Sequence, residues 1–152
     1  SAVDRRMRTA NTETRQQVET LLAKDAYAGA LGITVIDAAP GAVRVGMTVR
    51  ADNLNFLDWA HGGVIFALAD TAFGLASNSH DTVSVGIDAH MAYLSGVREA
   101  DVIEAQASEI SRTRRKAVYR IDVTRPADGT AIAAFTGTVY VTEQALKDLV
   151  AR

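Results

Sequence analysis

Asp70 is the residue of this chain that is hardest to read as scaffolding. From Val64 to Ala76 nearly every side chain is apolar, and Asp70 and Thr71 are the only strongly polar ones in that run. The pattern predicts a helix buried on most of its faces. A carboxylate carried into such surroundings costs on the order of several kcal/mol unless another group answers it, and nothing else in the helix can pair with it locally. The helix opens with Gly62-Gly63. Their bare backbone N–H groups lie at the positive end of the helix dipole, where an oxyanion can be held. An acid able to work on water or to attack, beside donors able to hold a negative oxygen, is the outline of an acyl-transfer site.

The spacing of these groups sets a condition. Gly62 precedes Asp70 by eight residues, about 12 Å along a helix axis. A single carbonyl carbon cannot be served by both ends of that span in one helix. If the Gly62 N–H and Asp70 act on the same carbonyl, they come from two copies of the helix packed antiparallel, which makes the site homodimeric. Plainer readings exist for the other candidates. The glycine pair permits close helix–sheet packing, His61 is a polar residue at a helix start, and Asn55 is suited to an Asx turn. Arg112, Arg114, Arg115 and Lys116 form the only dense basic cluster, in an expected turn between two strands, where a solvated hairpin tip is the ordinary outcome.

The elements that must position these residues can be read from periodicity. Residues 1–10 read as a loose lead-in, and Thr12–Tyr27 carries Val18, Leu21 and Leu22 at helical spacing, a surface helix. Ile33–Ala38 is a short β-branched strand. Pro40-Gly41 turns the chain into a second strand in which Val43, Val45, Met47 and Val49 alternate with polar or small residues. A loop with Asn53 and Asn55 leads into the apolar helix, which ends at Ser77-Asn78-Ser79. Strand-like runs follow at Val83–Tyr93, with perfect alternation, at Val102–Ile110, at Ala117–Thr124 and, after the Pro126-Ala127-Asp128-Gly129 turn, at Thr130–Thr142. Glu143–Arg152 reads as a short terminal helix. An antiparallel sheet wrapped around one helix explains why that helix is apolar on nearly every side.

Composition narrows the class. With 152 residues, 48% apolar and 22% charged, the chain is most simply one domain with a sizeable core. A net charge of −2 provides no basic excess for general nucleic-acid binding. No cysteine is present, which excludes disulfides, Cys-ligated zinc and thiol nucleophiles. Asp70 interrupts the best candidate for a membrane span, and the polar N-terminus lacks the apolar core of a signal peptide, so a cytoplasmic protein is expected. There is no G-x-S-x-G elbow, P-loop or dinucleotide fingerprint, and His61, His80 and His90 lack metal-site spacing.

Taken together, the string N-x5-H-G-G-x6-D, continued by T-A-F and closed by A-S-N-S, resembles the signature of hotdog-fold acyl-CoA thioesterases, and most closely the phenylacetate-degradation group called PaaI. The resemblance covers about Ala28 to Val141. It implies an α+β hotdog domain over residues 28–142, preceded by a lead-in and surface helix over 1–27 and followed by a short helix over 143–152. It implies hydrolysis of acyl-CoA thioesters, with aryl or phenylacetyl acyl groups and medium-chain acyl-CoA as competitor, in a homodimer or homotetramer with the site at the subunit interface. No metal or redox cofactor is implied, coenzyme A being part of the substrate, and neither nucleic acid nor membrane is a partner. Asp70 matches the catalytic carboxylate, as general base or nucleophile. Gly62 matches the N–H that polarises the thioester carbonyl, and His61 and Asn55 match the polar residues that position substrate or water. Thr71 is a partner for the water or the carboxylate. The basic turn of Arg112, Arg114, Arg115 and Lys116 would then meet the phosphates of coenzyme A.

Two departures bear on the substrate: Leu57-Asp58-Trp59 replaces a small or Gly-containing stretch, and Leu94-Ser95-Gly96-Val97 lacks the basic residue of the usual F-R-P-like element. Two rival activities are a hydroxyacyl-thioester dehydratase, with His61 as base, and a non-catalytic acyl-CoA sensor.

Overall fold

The computed structural model describes residues 1–152. Its elements are α1 (Ala2–Ala23), α2 (Ala26–Ala30), β1 (Thr34–Ala39), β2 (Ala42–Thr48), α3 (Gly62–Ser77), β3 (Thr82–Tyr93), β4 (Val102–Arg112), β5 (Lys116–Arg125), β6 (Thr130–Ala145) and α4 (Leu146–Val150). All six strands form one antiparallel sheet in the order β1-β2-β4-β5-β6-β3. This is the α+β hotdog arrangement expected from the sequence.

The sheet is built from rows of apolar residues that face α3. One row runs Val43, Ala107, Ile121, Phe135 and Met91 across five strands, and all but Met91 are fully or nearly fully buried. Against it α3 presses Ile65, Leu68, Ala69, Ala72, Phe73 and Ala76. Phe73 packs against two aromatic rings of the sheet, its centroid 5.5 Å from that of Phe135 and 5.9 Å from that of Tyr119. Glycines on β3 and β6 make its socket. A Cβ at Gly137 would stand 2.7 Å from the Phe73 ring, and one at Gly86 would stand 3.2 Å from it.

The expectation of a helix buried on most of its faces needs correction. The sheet covers one side of α3, while the stripe carrying Gly63, Phe66, Ala67, Asp70, Thr71 and Gly74 is only partly covered, and Asp70 itself is exposed. An antiparallel sheet curls over one flank of a helix, and on the other flank the α1–α2 junction closes only part of α3.

Three local departures have identifiable causes. The lead-in is helical from Ala2, because Ser1 and Asp4 form a capping box: Asp4 N–H donates to Ser1 Oγ, and the Ser1 amino group donates to Asp4 Oδ2, both at 3.2 Å. The expected 12–27 helix breaks after Ala23, because Asp25 caps a new helix by accepting from Ala28 N–H at 3.0 Å. The alternation of β3 does not stay on one face. An irregularity between Gly86 and Asp88 inserts Ile87, so Val85 pairs with Tyr140 on the outer surface while Ala89, Met91 and Tyr93 pair with Gly137, Phe135 and Ala133 on the helix side. The last strand also runs beyond Thr142 to Ala145, and the terminal helix keeps only Leu146–Val150.

The two sheet edges differ. Arg15 of α1 donates to the carbonyls of Ile36 and Val35 on β1, so α1 lies over that edge. β3 has no neighbour on its far side and exposes Val85 and Ile87. No helix is long and apolar enough to cross a membrane.

Candidate active site

The N-terminus of α3 is held open by its own cap. His61 is the N-cap residue, and its Nδ1 accepts from Gly63 N–H at 2.8 Å. An accepting Nδ1 carries no proton, so the free nitrogen, Nε2, is the donor. With Gly63 engaged, the Gly62 N–H points out of the helix with no acceptor in the protein. The next peptide unit is anchored as well, because Tyr93 Oη donates to the Gly62 carbonyl at 2.9 Å. The Tyr93 ring lies 3.3 Å from where a Gly62 Cβ would project, so a side chain there would press on the tyrosine. The His61 N–H is fixed on the Asn53 carbonyl at 2.8 Å. The sequence motif points to Asn55 as the site asparagine. Its Oδ1 accepts from the N–H groups of Leu57 (2.8 Å) and Trp59 (3.2 Å), an Asx-type turn that shapes the loop before the helix and leaves the Asn55 amide nitrogen without a partner in the chain. Asn53 is the buried asparagine.

Asp70 has no hydrogen-bond or ion-pair partner within the chain. Partial burial pushes its carboxyl above the usual carboxylate range, and the neighbouring charge of Asp25 adds to the rise. Both acids line two adjoining clefts of about 440 and 340 Å³, one continuing to Ser84 and Gly86, the other to Gly63, Phe66 and Tyr27. A more voluminous cleft, about 640 Å³, lies between α1 and α4 and holds neither Asp70 nor Gly62. Thr71 shares both Asp70 clefts, but its hydroxyl donates to the Ala67 carbonyl at 2.7 Å, so it can only accept from a bound water. The hydroxyl that is free to donate is that of Ser84. It is 5% exposed, makes no hydrogen bond and lines the same cleft as Asp70. Asn78 holds its backbone in place by donating to Ser84 O and accepting from Ser84 N–H. Sequence reasoning misses Ser84 and Asp25. Ser84 falls on a polar position of the alternating β3 pattern, so the pattern gives no signal that its hydroxyl is buried. Nothing in the motif points to Asp25, which arrives from the α1–α2 junction.

The predicted basic cluster divides. Arg112 turns inward, 3.5 Å from Tyr119 Oη and 3.8 Å from Glu109. Arg115 and Arg114 share Glu143, at 2.6 and 3.7 Å. Lys116 has no acid partner within 4.0 Å. The sheet register places this hairpin beside Ser84 and Val141, while Tyr93 and Gly62 lie at the opposite end of the sheet.

Residues 59–132 match the family model of the thioesterase superfamily. The acyl-coenzyme A thioesterase PaaI of Escherichia coli is 34% identical over 122 residues, which cover 80% of this chain and 86% of that one. Its solved structure superposes with a TM-score of 0.86 at 30% identity, over 90% and 98% of the two chains. A PaaI mutant structure from Thermus thermophilus is 41% identical with a TM-score of 0.73, covering 76% of this chain and 98% of that one. A thioesterase of Streptococcus pneumoniae solved with coenzyme A is 28% identical with a TM-score of 0.70, over 74% and 87%. The chain belongs to the thioesterase superfamily and, within it, to the PaaI-like acyl-CoA thioesterases of hotdog fold.

Proposed function

We propose that this enzyme hydrolyses aryl- or phenylacetyl-type acyl-CoA thioesters at a site shared by two chains. The observation that carries the reading is the pairing of an acceptor-free Gly62 N–H with an unpartnered acid eight residues along the same helix. That is about 12 Å of helix rise, too far for one carbonyl. The unsatisfied edge of β3, with Val85 and Ile87 exposed, supports pairing with a second copy. Antiparallel pairing there would continue the sheet and set the partner's open α3 stripe against this one. A homodimer, or a tetramer of two such dimers, follows.

In this arrangement the Gly62 N–H and the helix dipole hold the thioester oxygen as it becomes negative, a donor worth about 3–4 kcal/mol in the transition state. The Asp70 carboxylate of the second chain takes the proton of an attacking water, or attacks directly. The unpartnered Ser84 hydroxyl, in the same cleft as Asp70, would orient that water, and the tetrahedral intermediate collapses by expelling the coenzyme A thiolate. A His61-based dehydration is poorly served, since Nδ1 is occupied by Gly63. The exposed hairpin cations, Arg114, Arg115 and Lys116, lie at the far end of the sheet from Gly62 and would meet the nucleotide only across the dimer. Phe66 and Tyr27, beside Asp70, offer aromatic walls for the acyl group.

A thiol-release assay across an acyl-CoA panel tests the reading. Phenylacetyl-CoA and benzoyl-CoA should show the highest kcat/KM. A preference of tenfold or more for medium-chain esters, about 1.4 kcal/mol, would remove the aromatic assignment.

A further inference from the structure

Arg98 is placed unlike any other arginine of the sheet and its loops. From β1 to β6 every other arginine lies within 4.0 Å of a carboxylate, as in Arg44–Glu104, Arg50–Asp52, Arg120–Asp122 and Arg125–Asp101. Arg98 has no acid partner, and its guanidinium makes no hydrogen bond to the protein. Its guanidinium carbon lies over the Trp59 ring, 3.3 Å from the centroid. The indole therefore orders the cation and leaves its N–H edge free in solvent.

The platform is built into the fold. Arg98 N–H donates to Asp101 Oδ2 at 2.9 Å, and Arg125 reaches the same carboxylate at 3.3 Å, which fixes the backbone of the loop after β3. Gly96 makes room for the indole, since a Cβ there would come within 2.7 Å of it. Ala60 N–H donates to the Val97 carbonyl at 2.8 Å, so the loop is tied to the residue immediately before His61 and Gly62. A preorganised, unneutralised guanidinium thus stands on a loop tied by its backbone to the start of α3.

We infer that Arg98, held on Trp59, binds a phosphate of the coenzyme A portion of the substrate. This rests on the proposed acyl-CoA specificity and adds its anion contact. An oxyanion is what such a guanidinium recognises, in fork geometry with two donors. A carboxylate on the acyl group has the same chemistry. The phosphates are favoured because the cation faces water, which suits the hydrated, anionic nucleotide end of coenzyme A better than an acyl group bound for apolar walls.

Trp59 is the only tryptophan of the chain, so its emission reports on this site alone. Free coenzyme A, which needs no hydrolysis to bind, should change that emission saturably. Pantetheine, which lacks the phosphates, should not. In Arg98→Gln the apparent Kd for coenzyme A should rise about tenfold, the loss of one charge-assisted hydrogen bond, and the wild-type value should weaken with salt. With substrates, KM should rise about tenfold more for the coenzyme A ester than for the N-acetylcysteamine ester of the same acyl group. Unchanged coenzyme A affinity in Arg98→Gln, or equal KM changes for the two esters, would overturn the assignment. So would a response to a succinyl N-acetylcysteamine ester but none to coenzyme A, since the anion would then belong to the acyl group. Coenzyme A binding without turnover of any thioester would instead leave this site standing and remove the hydrolytic reading.

Discussion

Asp70 and Asp25 enclose the same clefts, so the proposed chemistry at Asp70 is set partly by a residue outside the motif. Asp70→Asn should keep the fold and lower kcat by about 100-fold or more, the usual contribution of a positioned acid or base. A kcat within threefold of the wild-type value would remove Asp70 from the chemistry. Its raised carboxyl pKa also has a sign in stability. The folded state holds the proton more tightly than the unfolded chain, so ionised Asp70 costs stability above the unfolded value of 3.8, a cost relieved as pH falls through the folded pKa. Asp70→Asn should therefore melt at a slightly higher temperature than wild type at pH 7, and the gain should shrink in acid. Asp25→Asn retains a good helix cap but removes a negative neighbour. The acidic limb of its kcat/KM profile, which rises as Asp70 ionises, should move to lower pH. An unmoved limb would show that Asp25 does not tune the site.

At the scale of elements, α3 depends on contacts that only glycine permits. Gly137→Ala would drive a methyl into the Phe73 ring, which is locked between Tyr119 and Phe135. It should cost about 1–3 kcal/mol in urea unfolding, as overpacking does. Tyr93→Phe removes the hydroxyl that anchors the Gly62 carbonyl. It should lower kcat/KM about fivefold, roughly 1 kcal/mol, without changing stability by more. The apolar run of α3, the alternating strands and the Pro-Ala-Asp-Gly turn all carried their structure openly. What stayed hidden was set by long-range pairing. The inserted Ile87 changes which residues of β3 face the helix, and only the register with β6 reveals it. The capping box at Ser1 was locally readable, yet a polar decapeptide without an apolar stripe gave no reason to extend the helix. Arg112 looked like its neighbours in the basic turn until folding brought Glu109 and Tyr119 beside it.

For the whole molecule, the proposed acid, Asp70, and the proposed oxyanion donor, Gly62, lie too far apart along one helix to serve one carbonyl. Mixing Asp70→Asn with Gly62→Pro, which deletes the N–H at a helix position that tolerates proline, should therefore revive activity from two dead proteins. Random hybrids with one intact site of two would recover up to about a quarter of the wild-type rate. No recovery after confirmed subunit exchange would argue for a site within one chain. Glu109 adds a pH dependence of its own. Burial pushes its carboxyl up, but hydrogen bonds to Tyr119 and His80 and the charges of His80 and Arg112 outweigh that and hold it below 4.5. Its contribution is present above the unfolded value and lost as pH falls through the folded one, so Glu109→Gln should destabilise the protein at pH 7 more than in strong acid. The unpaired edge of β3 also has a kinetic consequence. If two such edges must meet before any ester is cut, turnover becomes second order in the protein itself. Well below the dissociation constant of the pair, halving the chain concentration would leave about a quarter of the rate. Dilution alone would then act as an inhibitor of this enzyme.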